Sequence, residues 1–476
     1  MAQYTVTFQP DGVSVTVPGG SRILEAQIAA GLRPDAPCGG KGTCGKCSVR
    51  LDGQKVLACQ TLVDRDMEVY TEQVDGVKIL TDGLHVSVRP DGTDDYVLAF
   101  DIGTTTVVAY LLDGHTGALL ARESCMNPQS QFGADVISRI QQVMHEGGEN
   151  MAACVRSAME ELAGRATVKA GIGIEKITAA AIVGNTAMHH LLLNIDPKPL
   201  VTPPYMPNVS EAMERNGARI LPNIAGFVGG DTVGCMVSTR FDRQEELTLL
   251  IDIGTNGEMV LGNKDRRIAC STAAGPAFEG AKISCGMRGA EGAVDHVMLE
   301  NGQVRYHVLG EVEPRGLCGS GLLDLVAVLL ELGLLDESGR LENKAYRLCD
   351  QVVLTQKDIR EVQLAKAAIR AGIELLTEKI GAAVSDIQKV YLAGAFGNYM
   401  DPASACRIGM IPPVLQDRIM PIGNAAGEGA KLCALSREEF FYSQRLARET
   451  EFLELASLPQ FQDRYVDALE FCEEEE

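Results

Sequence analysis

Residues 96–112 read YVLAFDIGTTTVVAYLL, and residues 247–262 read LTLLIDIGTNGEMVLG. Each stretch is an apolar strand, a turn that begins with Asp-Ile-Gly, and a second strand. Asp101 and Asp252 take the equivalent position near the end of the first strand. Repetition at so long a spacing indicates two similar subdomains, because a solenoid would repeat at a much shorter period.

The two turns predict phosphate binding. Their hydroxyls and backbone N–H groups suit phosphate oxygens, and the aspartate can hold Mg²⁺ directly or through water. Two such hairpins that face each other would clamp one triphosphate, and positioning with electrostatics is most of phosphoryl-transfer catalysis. A single Asp-Ile-Gly turn is also an ordinary strand end, so the prediction depends on the pair. The residues predicted to hold Mg–ATP here are Asp101, Gly103, Thr104, Thr105, Thr106, Asp252, Gly254, Thr255 and Asn256.

A third element completes the pattern. Residues 362–380, VQLAKAAIRAGIELLTEKI, are typical of a long amphipathic helix, and KVYLAGAFGN at 389–398 follows as a strand. Glycines at a strand end let the backbone approach a base or ribose closely. We therefore predict nucleotide contacts at Gly394, Ala395, Phe396 and Gly397.

This order of elements resembles the actin, sugar-kinase and heat-shock-chaperone ATPase superfamily over residues of about 96 to 450. The resemblance implies a duplicated α/β fold with ribonuclease-H-like subdomains. It also implies that Gly184 and Asn185, in AIVGNTAMHHLLL, lie near the phosphates. Glu279 and Lys282, in GPAFEGAKI, would share a helix and contact ribose and adenine; the alternative is a surface ion pair.

The residue that activates water is harder to identify. Glu258, just after the second turn, is our candidate beside Asp101 and Asp252, although it could equally be a solvated strand residue. A helix predicted within residues 315–335 begins at Gly-Ser-Gly. Its N–H groups could meet an anion, but tight helix packing would explain the glycines equally well.

Four cysteines cluster near the start of the chain. They are Cys38, Cys44, Cys47 and Cys59, in CGGKGTCGKC and LACQT. Thiolates at this spacing in a glycine-rich loop can hold two irons, and the glycines allow positive φ angles and N–H groups aimed at sulfide. Zinc is the rival metal, although only one C-x2-C pair is present. Two hairpins around a short helix predict a β-grasp, and the segment resembles 2Fe-2S ferredoxins.

Composition limits the partners and the compartment. The net charge of −21 argues against nucleic acid and against an anionic membrane. No apolar stretch is long enough for a membrane span, and the N-terminus does not have the pattern of a signal peptide. We therefore expect a cytoplasmic protein whose other cysteines are reduced and buried.

The combination of modules resembles one family, the ATP-dependent reductive activators of corrinoid proteins. The shared stretches include CGGKGTCGKC, AFDIGTTT, NPQSQFGADVISRI, IVGNTAMHHLL, LIDIGTNGE, GPAFEGAKI, LAGAFG and FQDRYVDALEF. The resemblance implies that an electron passes from a 2Fe-2S cluster to inactive Co(II) and restores Co(I), coupled to ATP and Mg²⁺. It implies as partners a corrinoid protein and an electron donor protein or reductant, with a homodimer as one assembly left open.

The predicted divisions are a ferredoxin-like domain at 1–74, a linker at 75–95, an ATPase subdomain at 96–245 and a second at 246–476 with a C-terminal extension. Longer relatives carry an extra domain where this chain has only the linker. Three rival functions remain at this point: an ATP-gated electron donor to another low-potential enzyme, a redox-sensing ATPase switch that delivers no electron, and a small-molecule kinase.

Overall fold

The computed structural model describes most of the chain. The described residues are 2–32, 34, 36, 40, 42, 45–71, 80–84, 88–133 and 135–471. Within these ranges, no helix is long and apolar enough to cross a membrane.

The N-terminal sheet contains two hairpins beside one helix, as predicted for a β-grasp. Its strands run in the order β2-β1-β5-β3-β4, with β1 and β5 parallel and the other neighbours antiparallel. Ile23 from the helix packs on Phe8 and Val69 from the sheet, and all three are fully buried. The elements are β1 (Gln3–Gln9), β2 (Val13–Pro18), α1 (Ile23–Ala29), β3 (Ser48–Leu51), β4 (Gln54–Leu57) and β5 (Met67–Thr71).

The next sheet carries the first Asp-Ile-Gly hairpin. Its order is β10-β11-β9-β6-β7-β8, in which β6 pairs antiparallel with β7 and parallel with β9. The elements are β6 (Tyr96–Ile102), β7 (Thr106–Asp113), β8 (Leu119–Met126), α2 (Val136–Glu146), α3 (Glu149–Ala170), β9 (Ile177–Gly184), α4 (Thr186–Leu193), β10 (Met213–Arg215), β11 (Ala218–Ile220) and α5 (Gly230–Thr239).

A second sheet repeats this arrangement. Its order is β21-β20-β12-β13-β14-β22, in which β12 pairs antiparallel with β13 and parallel with β20. The remaining elements are β12 (Thr248–Ile253), β13 (Gly257–Gly262), β14 (Arg267–Thr272), β15 (Ala293–Glu300), β16 (Gln303–Val308), β17 (Gly316–Leu317), α6 (Gly319–Glu331), β18 (Ala345–Arg347), β19 (Val353–Thr355), α7 (Gln356–Ile380), β20 (Lys389–Ala393), α8 (Gly394–Tyr399), α9 (Pro402–Arg407), β21 (Ile419–Gly423), α10 (Ala425–Leu435), α11 (Arg437–Glu449), β22 (Glu451–Phe452) and α12 (Pro459–Asp467). The matching strand order confirms the predicted duplication.

The two sheets share a central apolar core. Val108 of the first sheet and Val260 of the second belong to the same buried cluster, with α5 and α10 between the sheets. These two helices cross closely, because a Cβ on Gly429 would collide with the carbonyl oxygen of Gly234. Glycine at the crossing therefore fixes the distance between the halves, and both Asp-Ile-Gly turns open at the same end of this core.

Part of the range predicted as a linker lies against the ATPase fold. Gly83 forms an isolated antiparallel bridge with Gly423, and the backbone N–H of Asp91 donates to the Leu435 carbonyl at 2.9 Å. Leu84 and Val88 pack on the central core. These described residues are therefore part of the packed structure.

Candidate functional site

A cavity of about 330 Å³ lies between the two Asp-Ile-Gly turns. Both strand ends, β6 and β12, point into it, as expected for a ligand site in a duplicated α/β fold. Of the predicted residues, the structure brings to its wall Asp101, Gly103, Thr104, Thr105, Thr106, Asn185, Asp252, Gly254, Thr255, Asn256, Glu258, Glu279, Gly394, Ala395 and Phe396.

The first turn is held in a tight loop by a buried asparagine. The N–H of Gly103 donates to the Thr106 carbonyl at 2.9 Å. Asn127, fully buried, donates from Nδ2 to the Gly103 carbonyl at 2.7 Å and from its backbone N–H to Thr105 at 2.8 Å. These bonds occupy the carbonyls of Gly103, Thr105 and Thr106, and all three threonines of the turn line the cavity.

Arg139 supports the same turn from below. Its side chain is fully buried and donates to the carbonyls of Thr104 at 2.7 Å and Gly133 at 2.9 Å. Burial lowers the pKa of this guanidinium to about 10, so it remains charged at neutral pH.

On the cavity side of the same turn, Asn185 caps α4 and donates from Nδ2 to the Thr104 hydroxyl at 3.1 Å. Asn127 and Arg139 both belong to the stretch NPQSQFGADVISRI, whose role the sequence did not reveal.

One carboxylate joins the two turns. The Thr105 hydroxyl donates to Oε2 of Glu279 at 2.8 Å, and the Thr255 hydroxyl donates to Oε1 at 2.8 Å. The second turn is itself closed by the N–H of Gly254, which donates to the Asn256 carbonyl at 2.9 Å. We call this arrangement of Glu279, Thr105 and Thr255 the carboxylate clasp. It occupies hydroxyls that a phosphate group would need, while the predicted contact of Glu279 with ribose and adenine stays a prediction.

Lys282 differs from the prediction. No helix carries it together with Glu279, because the helical turn Pro276–Glu279 is a short 3₁₀ segment that ends before it. Lys282 itself has a left-handed backbone conformation, and its side chain, 60% exposed, pairs with Glu361 at 3.7 Å. The shared helix was therefore wrong. The alternative, an i,i+3 ion pair between Glu279 and Lys282, was wrong as well, because Glu279 accepts from the Thr105 and Thr255 hydroxyls and Lys282 pairs with Glu361 at the surface.

Four carboxylates form the acidic floor of the cavity: Asp101, Asp231, Asp252 and Glu258. Burial raises the pKa of Asp101 to about 6, opposed by a hydrogen bond from Asn424. Burial and then the charge of Asp101 raise the pKa of Asp252 to about 7. Burial followed by the charge of Asp252 does the same for Asp231, again to about 7. A cation would relieve this repulsion.

The donor set suits Mg²⁺ with help from a nucleotide. Within the described ranges, no group of three or more Asp, Glu, His or Cys side chains converges closely enough to hold a metal on its own. Mg²⁺ usually takes one or two carboxylates and completes its octahedron with phosphate oxygens and water. Asp101 and Asp252 fit that role, one from each half of the fold.

Glu258 is buried, so the alternative of a solvated strand residue was wrong. It lies opposite Asp252 in the β12–β13 ladder, and the Ser271 hydroxyl donates to its Oε1 at 3.3 Å. Burial, then the charges of Asp231 and Asp252, raise its pKa well above the usual range. Asp231, at the start of α5, was missed because its Gly-Gly-Asp setting reads as an ordinary helix start.

The residues predicted to contact nucleotide from Gly394 to Gly397 have different surroundings. A Cβ on Gly394 would lie 2.5 Å from Oδ1 of Asp252, so only glycine fits beside the acidic floor. The ring of Phe396 stacks on Phe278 with centroids 4.6 Å apart, and both rings line the cavity. Gly397 lies in α8, beyond the end of the strand, and packs on Leu392 of β20, so packing alone explains this glycine.

Gly184 also serves packing. A Cβ there would lie 2.8 Å from the carbonyl oxygen of Ile102 on the neighbouring strand, and the residue is not among those that line the cavity.

The Gly-Ser-Gly start of α6 combines the two predicted alternatives, an anion site and tight helix packing. Gly319 and Ser320 reach the cavity wall, while Gly321 meets the Val294 carbonyl.

Two of the four predicted cluster ligands can be located. Cys47 and Cys59 are both buried, and the N–H of Ala58 donates to the Cys47 carbonyl at 2.8 Å, which holds the two cysteine segments together. Cys38 and Cys44 lie outside the described residues.

The surroundings of Cys59 fit an enclosed cluster. A Cβ on Gly40 would lie 3.8 Å from Cβ of Cys59, and Gly42 lies so close to Gln60 that a Cβ would be 2.6 Å from Nε2. Both glycines have positive φ angles. Gly40 therefore lies beside Cys59, and Gln60 donates from Nε2 to the Cys59 Sγ at 3.8 Å. A thiolate beside such glycines suits iron and sulfide.

The cluster loop also contacts the ATPase fold. Lys46, which precedes Cys47, donates from Nζ to the carbonyl of Gly286. Gly286 is followed directly by Met287 and Arg288, which line the cavity. The predicted electron-transfer loop and the cavity wall are thus joined through one short segment.

The carboxylate clasp leads to a first prediction. In Glu279→Gln, the negative charge that competes with phosphates is lost, so we expect the Kd of a non-hydrolysable ATP analogue to fall about fivefold. Isothermal titration calorimetry in the presence of Mg²⁺ measures it. Glu361→Gln, on the outer side of Lys282, is the matched control and should bind as the wild type does. Weaker binding by Glu279→Gln would instead indicate a direct nucleotide contact.

Comparison with known proteins covers nearly the whole chain. Three family models match: a 2Fe-2S iron-sulfur cluster binding domain over residues 3–74, the RACo middle region over 96–244, and the C-terminal domain of RACo, the ASKHA domain, over 246–476. The first match favours an iron–sulfur cluster over zinc, and the last supports ATP as a ligand.

Among similar proteins, the corrinoid activation enzyme RamQ of Eubacterium limosum is 33% identical over 568 aligned positions, which cover 94% of this chain and 95% of RamQ. The alignment is longer than the chain, so RamQ carries residues that this chain lacks. The Co(II) methylated amine-specific corrinoid protein reductase of Methanosarcina barkeri is 34% identical over 47% of this chain and 44% of its own length. A solved structure of a reductive activator for corrinoid, iron-sulfur protein superposes with a TM-score of 0.70 at 31% identity and covers 98% of both chains.

Proposed function

The chain belongs to the RACo family, and on this premise we propose that it is an ATP-dependent reductase that restores the Co(I) state of a corrinoid protein. The observation that carries the proposal is the contact of Lys46 with Gly286. It joins the loop of the cluster-binding domain to the wall of the nucleotide cavity. A protein that couples an electron to ATP requires such a connection, whereas a kinase does not.

The coupling is needed for an energetic reason. Reduction of Co(II) to Co(I) lies at a lower potential than an ordinary 2Fe-2S donor supplies. Every gap of about 59 mV in a one-electron couple is a tenfold disadvantage at equilibrium. ATP can offset it only if the protein prefers different conformations or partner states before and after nucleotide binding.

The electron-transfer end of the protein consists of the N-terminal domain. A 2Fe-2S cluster held by Cys38, Cys44, Cys47 and Cys59 would supply one electron per reduction. Burial of Cys47 and Cys59 keeps water away from these sulfurs. Lys46 anchors the loop to the ATPase fold and contributes a positive charge beside it.

The nucleotide end consists of the two turns. Hydroxyls of Thr104, Thr105 and Thr255 would bind phosphate oxygens, and Asp101 with Asp252 would hold Mg²⁺. Phosphate would displace Glu279 from Thr105 and Thr255. The two halves of the fold, now bridged by the Glu279 carboxylate, would then be bridged by the nucleotide. ATP would in this way change the orientation of the two halves of the fold relative to each other.

Two carboxylates are candidates for the activation of water. Asp231 and Glu258 both have raised pKa values, and a raised pKa makes a carboxylate a better base once it is ionised. We favour Asp231, because its pKa of about 7 lets it ionise at neutral pH. Glu258 is better suited to hold a proton beside Asp252.

The remaining partners follow from chemistry. We infer that the protein acts in the cytoplasm, where a reduced donor protein or small reductant reloads the cluster. A homodimer remains compatible with this function. The lack of residues present in RamQ implies that any docking or dimer contact made by them is absent or is replaced here.

The decisive experiment follows the cobalt directly. Reconstituted protein is mixed with a Co(II) corrinoid protein, a reductant and Mg–ATP, and we expect the Co(I) absorption band to appear. Omission of ATP should reduce its rate at least about tenfold. If the band is absent with a competent partner, the proposal is wrong. A small-molecule kinase would instead consume ATP only with an added acceptor and independently of the cluster.

A further inference from the structure

The segment that leads from the ferredoxin-like domain to the ATPase lies across the start of α10. The backbone N–H of Asn424 donates to the Asp82 carbonyl at 2.8 Å, and Gly83 donates from its N–H to Oε1 of Glu428 at 3.2 Å. Glu428 is in turn paired with Lys431 at 2.6 Å. We call residues 80–83 the docking segment. Its first residue, Leu80, lines the nucleotide cavity.

The side chain of Asn424 contacts both the docking segment and the acidic floor. Its Nδ2 donates to Oδ2 of Asp101 at 2.8 Å and to the carbonyl of Leu80 at 3.4 Å. Its Oδ1 accepts from the N–H of Gly427 at 2.7 Å as the N-cap of α10. Because a backbone N–H can only donate, this third bond fixes which end of the amide faces Asp101.

The docking segment and the start of α10 lie so close together that no side chain fits between them. A Cβ on Gly83 would lie 2.8 Å from the Asn424 carbonyl oxygen and 2.6 Å from Cγ of Glu428. A Cβ on Gly423 would collide with the Asp82 carbonyl. The docking segment therefore lies tightly against the start of α10, where the Asn424 amide and the Glu428 carboxylate bind its backbone, while Arg122 pairs with the Asp82 side chain.

We propose that Asn424 is a positioning residue that makes the docking segment respond to nucleotide at Asp101. The inference rests on the proposed function, because it presumes that Mg–ATP binds at the acidic floor. A cation held by Asp101 would draw electron density from this carboxylate and weaken the bond from Asn424, whose amide would then keep its bonds to Leu80 and Gly427. Nucleotide binding in the cavity thereby alters the contacts of the docking segment, which precedes the ATPase fold in the chain and follows the cluster-binding domain.

Hydrogen–deuterium exchange tests the inference without any corrinoid protein. Peptides that cover residues 80–84 are followed in the full-length protein with and without Mg²⁺ and a non-hydrolysable ATP analogue. We expect nucleotide to change the exchange rate of the wild type at least about threefold. In Asn424→Ala, we expect fast exchange that nucleotide no longer alters. No change in the wild type would overturn the inference.

A second variant separates coupling from loss of structure. Gly83→Ala presses on the Asn424 backbone and on Glu428 but keeps the Asn424 amide, so its KM for ATP should rise less than that of Asn424→Ala. Its nucleotide-dependent exchange at 80–84 should disappear. Asn263→Ala, in the turn between β13 and β14, is the matched control for Asn424→Ala. It should keep the wild-type response to nucleotide. If Gly83→Ala keeps the wild-type response, nucleotide acts on residues 80–84 by a route other than this contact, and the inference is wrong.

The two hypotheses fail in different ways. If Co(I) never forms but the exchange still responds to nucleotide through Asn424, the proposed reductase function is wrong and the coupling stands. If Co(I) forms in an ATP-dependent way while residues 80–84 do not respond, the function stands and the coupling is wrong. Asn424→Ala should also raise KM for ATP more than it lowers kcat, because it orients a ligand of Mg²⁺.

Discussion

Asp252→Asn is expected to lower kcat for ATP hydrolysis at least about 100-fold, because a neutral amide cannot neutralise the Mg²⁺ that stabilises the phosphoryl charge. The measurement is steady-state phosphate release at saturating Mg–ATP. Asp265→Asn, the same substitution in an exposed turn, should retain wild-type kcat. Retention of more than about a third of the wild-type kcat by Asp252→Asn would remove Asp252 from the site.

The same variant gives a prediction about pH. The pKa of Asp252 is raised from 3.8 to about 7, so the folded state holds this proton more tightly than the unfolded chain does. The group therefore costs stability as pH rises from about 4 to about 7. Without Mg²⁺, the wild type should lose stability relative to Asp252→Asn over this window, as measured by thermal unfolding. Mg²⁺ should stabilise the wild type more at pH 8 than at pH 6, and an equal effect would contradict the assignment.

Cys59→Ser is the second change with a large expected effect. Serine cannot supply a thiolate, so we expect loss of the reduced-cluster EPR signal and at least about a 100-fold slower formation of Co(I). ATP hydrolysis without corrinoid protein should stay within about twofold, because Cys59 lies in the other domain.

A matched variant controls for the replacement of a thiol by a hydroxyl. Cys154 lies in α3, where its Sγ donates to the Met151 carbonyl at 3.2 Å, a bond that a serine hydroxyl can also make. Cys154→Ser should keep both the EPR signal and the cobalt reaction. A normal EPR signal in Cys59→Ser would show that another group ligates the cluster.

Local pattern was sufficient for the elements of the fold. The alternation in β1 and β2, the apolar runs of β6 and β12, and the helical period of α7 are all formed by neighbours in the chain. The repeated Asp-Ile-Gly turn likewise predicted the two-half architecture, because each copy carries the same strand–turn–strand signal. The contacts of Glu279, Asn424 and Asp231 could not be predicted this way, since each partner lies far away in the sequence.

Lys282 illustrates the limit most clearly. Its spacing from Glu279 would place both on one helical face, but the chain leaves the helix at Gly280, which has a positive φ. Backbone geometry therefore overrides the spacing and sends the lysine to Glu361 on the surface. Gly397 was assigned to ligand contact from its place at a strand end, and Gly184 from the resemblance to the ATPase superfamily; packing explains both glycines.

The sequence by itself determined which chemistry the chain carries: thiols in a glycine-rich loop and two aspartates at phosphate-type turns. These signals are local, because the residues that create them are neighbours. Only the tertiary structure decided how the parts meet, through the clasp of Glu279 across both turns, the bond from Asn424 to Asp101, and the contact of Lys46 with Gly286. These contacts depend on how the two sheets and the N-terminal domain pack, a property of the whole chain that no local pattern encodes.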